Sequence, residues 1–323
     1  TDNRQRERAM LMLCFFAGAY VWGMNRPAKR LPASIAVPLW QVAESLGRPP
    51  IINHASLVLN NWQKLNPDGG LDADNLDTTL TLLGGMDEKW FYLATVGVEY
   101  AGAPLIPLMV AAQSHVTDKS ITAVTDLLGD MLPILKDTYA ALDYIQAKCD
   151  PYIFYHRVRP YLAGWEAPGL IYEGISETPQ VFMGGSAAQS SLIQAIDAVF
   201  GIRHTHEHSA PFLLEMRDYM PPLHREFIES LESRPSLHDF VETHQPDYPT
   251  LLERFNACVT VIDRFRQKHM EIAVRYISHQ ARDVDDAKGT GGTDFVQFLS
   301  AARKETKAHL MDNTKVSASE GEF

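Results

Sequence analysis

The chain has 323 residues, 46% of them hydrophobic and 21% charged, with a formal net charge of −11. That length holds one large domain or two unequal ones around a sizeable core. The acidic balance speaks against a binder of phosphate backbones, which needs concentrated lysine and arginine, and no run of like charge is long enough to hold nucleic acid or a membrane.

In chain order, "AMLMLCFFAGAYVW" (Ala9 to Trp22) is the longest apolar run. It is too short to cross a bilayer, and the segment before it is mixed in charge, so it reads as a core helix. "HASLVLNNWQKL" (His54 to Leu65) reads as a short amphipathic helix between the stop signals "GRPP" and "NPDGG". The acidic, turn-rich "LNPDGGLDADNLD" is the best internal linker. It divides a small helical domain, 1–83, from a large helical domain, 84–323. Helices are then expected from Asp87 to Val110 and from Lys119 to Lys148, with Pro160 kinking or stopping the helical "PYIFYHRVRPYL". Residues 165–185 read as irregular, with one strand-like patch, "APGLIYEG". Further helices are expected at Ser186–Phe200, Pro211–Tyr219, Pro222–Leu231, Tyr248–His279 and Asp294–Leu310. There is no repeat and no alternation of strands with helices, so the expected fold is all-α. Cys14, Cys149 and Cys258 each lie in an apolar stretch and read as buried thiols of a reducing compartment.

Five groups of residues carry possible chemistry. Cys258, Ile262, Phe265, His269, Ile272 and Tyr276 step by three and four, which places His269 in an apolar helical stripe. A lone histidine there is usually a core residue. The sharper reading is an axial haem ligand, with Arg266 one turn back to meet a propionate. "GGSAAQSS" (Gly184 to Ser191) approximates a nucleophile elbow but has no strand before it, so a glycine-rich turn with Ser186 capping a helix is favoured. "HTHEH" offers His204, His206 and His208 at alternate positions, which suits incidental surface metal at most. "KGTGGTDF" is glycine-rich and opens a helix, but its lysine precedes the glycines and its neighbours are acidic, so it does not read as a phosphate loop. Arg157 and Arg159 sit beside Phe154, Tyr155 and Trp165, a combination that suits a ligand with both a carboxylate and a ring.

Taken together, "AYVWG", "LPASIAVPLWQV", "PPIINHASLVLNNW", "YLAGWEAPGLIYEG", "GGSAAQSS", "MRDYMPPLHREFIESLES", "HMEIAVRYI" and "KGTGGTDFVQFL" resemble the indoleamine 2,3-dioxygenase family, in the family's order, from about Ala9 to Leu310. By this resemblance the chain is expected to begin partway into the small domain, without the family's N-terminal extension. The resemblance implies an all-helical fold in which a small domain caps a large one that holds haem b. It also implies insertion of O₂ across the C2–C3 bond of the indole of L-tryptophan, giving N-formylkynurenine at the head of kynurenine-type catabolism.

By the same resemblance His269 is the proximal iron ligand, and Arg266 with Asp197 forms the buried pair supporting that side. Gly185, Ser186 and Ala187 belong to the turn at the haem edge. Phe91 and Phe154 match the aromatics that pack on the indole, and Arg159 the arginine that binds the substrate carboxylate. Gly289, Thr290 and Gly291 belong to a loop that closes over substrate. His54 stands where the mammalian pattern has tyrosine, Thr95 where it has serine, and Tyr155 where it has phenylalanine. A histidine there could accept the indole N–H, or equally reshape the pocket for another indole. No residue is expected to act as acid or base. The implied partners are an indole, L-tryptophan foremost, and a reductant for the haem, in a cytoplasmic monomer with no nucleic-acid or membrane partner. Two alternatives stand beside this reading: a related dioxygenase of another indole, and a haem-binding sensor without turnover.

Overall fold

The computed structural model describes residues 2–207, 209–281, 289 and 295–312. In chain order the elements are α1 (Asn3–Trp22), β1 (Arg30–Leu31), α2 (Ala33–Leu46), β2 (Trp62–Lys64), β3 (Leu76–Thr78), α3 (Met86–Gly102), α4 (Leu105–Thr117), α5 (Ile121–Ala141), α6 (Asp143–Lys148) and α7 (Pro151–Ile153). There follow β4 (Trp165–Tyr172), β5 (Ser176–Phe182), α8 (Ser191–Phe200), α9 (Ser209–Arg217), α10 (Pro222–Glu232), α11 (Leu237–His244), α12 (Pro249–Ala273) and α13 (Phe295–Lys307). The fold is all-α, with two small sheets as accessories.

Two apolar clusters build the interior. The first gathers α1, α2 and α3 with the β4–β5 hairpin, around Leu11, Leu39, Leu93 and Tyr172. The second gathers α4, α5, α8 and α10 to α12, around Met109, Leu128, Val199 and Phe255. Cys14, Cys149 and Cys258 are all buried and unbridged, as their apolar neighbours led us to expect. Burial pushes each thiol up to about 12, so none is a ready nucleophile.

Several expected elements differ. The segment expected to be one helix from His54 to Leu65 forms a single π turn, Ala55–Leu59, and then enters β2. Two asparagines end the turn. Asn60 Nδ2 donates to Ala55 O at 3.0 Å, and Asn61 binds both Leu80 O at 3.1 Å and the Leu80 N–H at 2.9 Å. Asn61 thereby turns the chain into antiparallel register with β3, Trp62 opposite Thr78. The helix expected through Val110 breaks between α3 and α4, where Pro104 supplies no N–H to the ladder. Helix α2 was not foreseen. Pro38 lies inside it, yet Ala36, Leu39, Ala43 and Leu46 form one buried face that holds it in place. Helix α11 was also missed, although Ser236 caps it by accepting the Asp239 N–H at 3.1 Å.

Residues 165–185, expected to be irregular, form the β4–β5 hairpin, with β1 added parallel to β4 at Arg30 opposite Ile171. The alternation that marks a strand is blurred by Pro168 and by Gly169 at φ +94, which interrupt the register. The hairpin matters because it fixes the loop leading to His54. Trp165 Nε1 donates to Tyr172 Oη at 2.8 Å, and that hydroxyl donates in turn to Pro50 O at 2.8 Å. Tyr172 is fully buried, so removing its hydroxyl strands a donor and an acceptor together. Tyr172→Phe is expected to lower the unfolding free energy by roughly 1–3 kcal/mol in denaturant titrations, with the slope unchanged; a stability equal to wild type would show that this chain of bonds carries no weight.

Candidate active site

One cavity of about 270 Å³ lies where the two apolar clusters meet. Its walls come from α3, α8, α12 and α13, the turn after β5, and three π turns. The π turns have a common purpose. His54 precedes the first, Phe154 opens the second (Phe154–Val158) with Arg159 directly after it, and Tyr276 and Ile277 sit in the third (Val274–Ser278). An extra residue in a helical turn changes the angle between the side chains before and after it, as between Phe154 and Arg159, both of which line the cavity.

Of the residues singled out from sequence, His54, Phe91, Thr95, Phe154, Arg159, Gly185, Ser186, Ala187, Asp197, Arg266, His269 and Gly289 all line this cavity. Thr290 and Gly291 lie outside the described residues, as do Lys288, Asp294 and His208.

On the α12 side, Phe265, His269, Ile272 and Tyr276 bring the expected stripe into the wall. The His269 imidazole makes no hydrogen bond to a described residue, and burial together with the Arg266 charge pushes its pKa down to about 4. It is therefore neutral near pH 7, with a lone pair available to a metal. Arg266, one turn earlier, donates from Nη2 to Asp197 Oδ1 of α8. Its Nε is buried and meets no acceptor among the described residues, which leaves a charged donor beside the cavity open to an anionic group. Burial pulls the Asp197 carboxyl up, but Arg266 and His204 more than reverse this and hold it below the usual carboxylate range. A neutral imidazole, an arginine lacking an acceptor and mostly apolar walls fit haem, whose faces are apolar and whose propionates are anionic.

The other walls carry aromatic and polar groups. Phe91 and Phe154 lie 4.4 Å apart between ring centroids, and the Tyr276 ring meets Phe154 edge-on at 5.9 Å. The Tyr276 hydroxyl donates to Cys149 O at 2.6 Å, which holds that ring in place. The Arg159 guanidinium lies over the Tyr155 ring, 5.3 Å from its centroid. A strand, β5, does end just before this turn, contrary to expectation, but it belongs to an antiparallel hairpin rather than the parallel sheet of a nucleophile elbow, and Ser186 caps its turn by accepting the Ala188 N–H at 3.2 Å.

Sequence reasoning missed three residues on this side. Gln189 Oε1 accepts the His54 N–H at 2.9 Å while its Nε2 donates to Gly184 O at 2.9 Å, which ties the "GGSAAQSS" turn to His54. Glu99 Oε1 lies 2.8 Å from His54 Nε2 and accepts from Ser190 Oγ at 2.6 Å. His54 Nε2 therefore donates to a carboxylate, and only Nδ1 remains to accept an indole N–H. Burial pulls Glu99 up, but the bonds from His54 and Ser190 bring it below its ordinary value, so a carboxylate lines a pocket in which no acid or base was expected. Helical spacing held the signal: Phe91, Thr95 and Glu99 step by four along one face of α3.

The family profile described as Indoleamine 2,3-dioxygenase matches residues 1–309. Human indoleamine 2,3-dioxygenase 2 is 37% identical, over 96% of this chain and 80% of its own length. The indoleamine 2,3-dioxygenase of Saccharomyces cerevisiae is 34% identical, over 95% and 79%. A protein of Haliotis madaka named myoglobin is 31% identical, over 94% and 81%. The chain belongs to the indoleamine 2,3-dioxygenase family, whose members are haem-dependent oxidoreductases that act on indoles.

Proposed function

We propose that the protein is an L-tryptophan 2,3-dioxygenase that forms N-formylkynurenine. The observation that carries the reading is the convergence in one cavity of a neutral His269, an aromatic pair and Arg159. His269 would hold the haem iron, Arg266 would offer its unsatisfied Nε to a propionate, and Gly185, Ser186 and Ala187 would border the haem edge. Haem, when bound, supplies the chemistry with O₂.

The chain's own residues position the substrate and exclude water. Phe91 and Phe154 offer faces to the indole, and Arg159 offers a planar donor pair to the carboxylate. Gly289 lies in the cavity wall, where a main-chain group meets the amino-acid end without a side chain between them. His54, held through its backbone by Gln189 and through Nε2 by Glu99, presents Nδ1 as an acceptor for the indole N–H. Holding the reactants in one geometry and in a dry site is the protein's share of the rate enhancement.

A second reading has direct support, because one relative at 31% identity bears the name myoglobin. On that reading the protein holds haem and O₂ without turnover. Arg159 and the aromatic pair favour the enzyme, since storing O₂ requires neither. Reduced protein incubated with O₂ and a panel of indoles separates the readings. Formation of N-formylkynurenine from tryptophan supports the dioxygenase, product from another indole only would move the substrate, and no product from any would leave the storage reading. Arg159→Ala is expected to keep haem and to raise KM for tryptophan roughly tenfold to a hundredfold, as loss of a charged hydrogen bond implies, while KM for tryptamine stays near its wild-type value. His269→Ala is expected to lose haem and activity together. A Soret band unchanged in His269→Ala would refute the ligand assignment.

A further inference from the structure

The "HTHEH" segment, read from sequence as a surface metal site at most, holds a buried cation. His204 Nε2 lies 3.1 Å from Asp197 Oδ2, and its Nδ1 lies 2.7 Å from Glu305 Oε2. Both neighbours are carboxylates that only accept, so both ring nitrogens donate and the imidazole is doubly protonated. Its side chain is 8% exposed, and those of Asp197 and Glu305 are 9% and 15% exposed. Glu305 is fixed further: its Oε1 accepts the Thr205 N–H at 2.6 Å and the His206 N–H at 3.0 Å.

The result is a line of alternating charge across four parts of the fold: Arg266 on α12, Asp197 on α8, His204 in the loop, Glu305 on α13. Its inner end, Arg266, is in the cavity wall. Its outer end is on the helix that supplies Phe295, Phe298 and Leu299 to the same wall. We propose that His204 is a positioning residue, a cationic latch that locks α13 against the Arg266–Asp197 pair and so sets the width of the substrate cavity. This goes beyond the tryptophan assignment and does not depend on it.

The latch has a direction in pH. Loss of the proton leaves a neutral ring that can donate to only one of two carboxylates, and the other then lacks its donor. The charged groups that face His204 are Asp197 from α8, Arg266 from α12 and Glu305 from α13; His309, just past α13, reaches the same loop through Gly201 O at 2.8 Å. Burial and Arg266 pull the His204 pKa down, but its bonds to Asp197 and Glu305 outweigh them and leave it above the ordinary histidine value. The grip is therefore complete below about pH 6.5 and is lost as pH rises through the higher folded value. Asp197 and Glu305 are both held low, so the acid side of the latch fails only below the usual carboxylate range.

Amide exchange of the peptide 295–307 in the full chain as purified, corrected for intrinsic rates, reads the latch directly. Wild-type protection is expected to fall roughly tenfold or more between pH 6 and pH 9, the loss of one charged hydrogen bond. His204→Gln is expected to show the low protection throughout, with no pH dependence, and to raise KM for the substrate at pH 6 while leaving kcat unchanged. Glu305→Gln, which keeps the His204–Asp197 bond, is expected to lose the protection as well, and it serves if His204→Gln does not fold. Wild-type protection constant across this range would overturn the latch, as would a His204→Gln or Glu305→Gln protein that retains the wild-type profile.

Discussion

A guanidinium buried one helical turn before His269 must be neutralised where it lies, and much of the site follows from how this is done. A charge out of water costs several kcal/mol unless it is paired with good geometry. Asp197 provides the pair, and to do so α8 must lie against α12 at the level of the cavity. That requirement explains why an aspartate is tolerated in a helix whose remaining buried residues are mostly apolar. It also explains why His269 stays neutral: a positive charge nearby and dry surroundings both disfavour the imidazolium. Among the described residues pairing is incomplete at Arg266 Nε, and a donor so placed would suit an anionic group of a ligand.

The two sides of the cavity use charge differently. On the α12 side a cation is neutralised by an anion that is itself shared with His204, so the balance extends outward to α13. On the α3 side an anion, Glu99, is held by two hydrogen-bond donors, His54 and Ser190. His54 thus lies in register with a buried carboxylate, and one of its ring nitrogens is left to face a ligand. The aromatic pair and Arg159, which would recognise the indole and its carboxylate, lie apart from this carboxylate contact.

The fold class and the His269 stripe were readable because both rest on helical periodicity, which a linear sequence displays. Phe265, His269, Ile272 and Tyr276 reach the cavity together for the same reason. What the sequence hid was long-range or locally irregular. The π turns have no signature in composition, yet they aim Phe154 and Tyr276, and one of them replaces an expected helix at His54. The β4–β5 hairpin was masked by Pro168 and Gly169, which break the alternation of its first strand. Helix α2 was masked by Pro38, an apparent breaker overridden by a buried face. His204 looked solvated because its two carboxylate partners are 7 and 101 residues away. Pairing at such distances is a property of the packed chain.

The groups that fit haem and the groups that would recognise an indole come from different walls of the cavity. A neutral histidine on α12, a paired arginine and apolar walls, which fit haem, come from the packing of α8 on α12. On the proposed reading, turnover of an indole would draw on other elements: the aromatic pair of α3 and the second π turn, Arg159 beyond that turn, and His54 beside the first. The two sets are built by different parts of the chain, so one can be altered without dismantling the other. On the proposed reading, choice of substrate would therefore reside in the α3 and π-turn side of the cavity, and retention of haem in the α12 side.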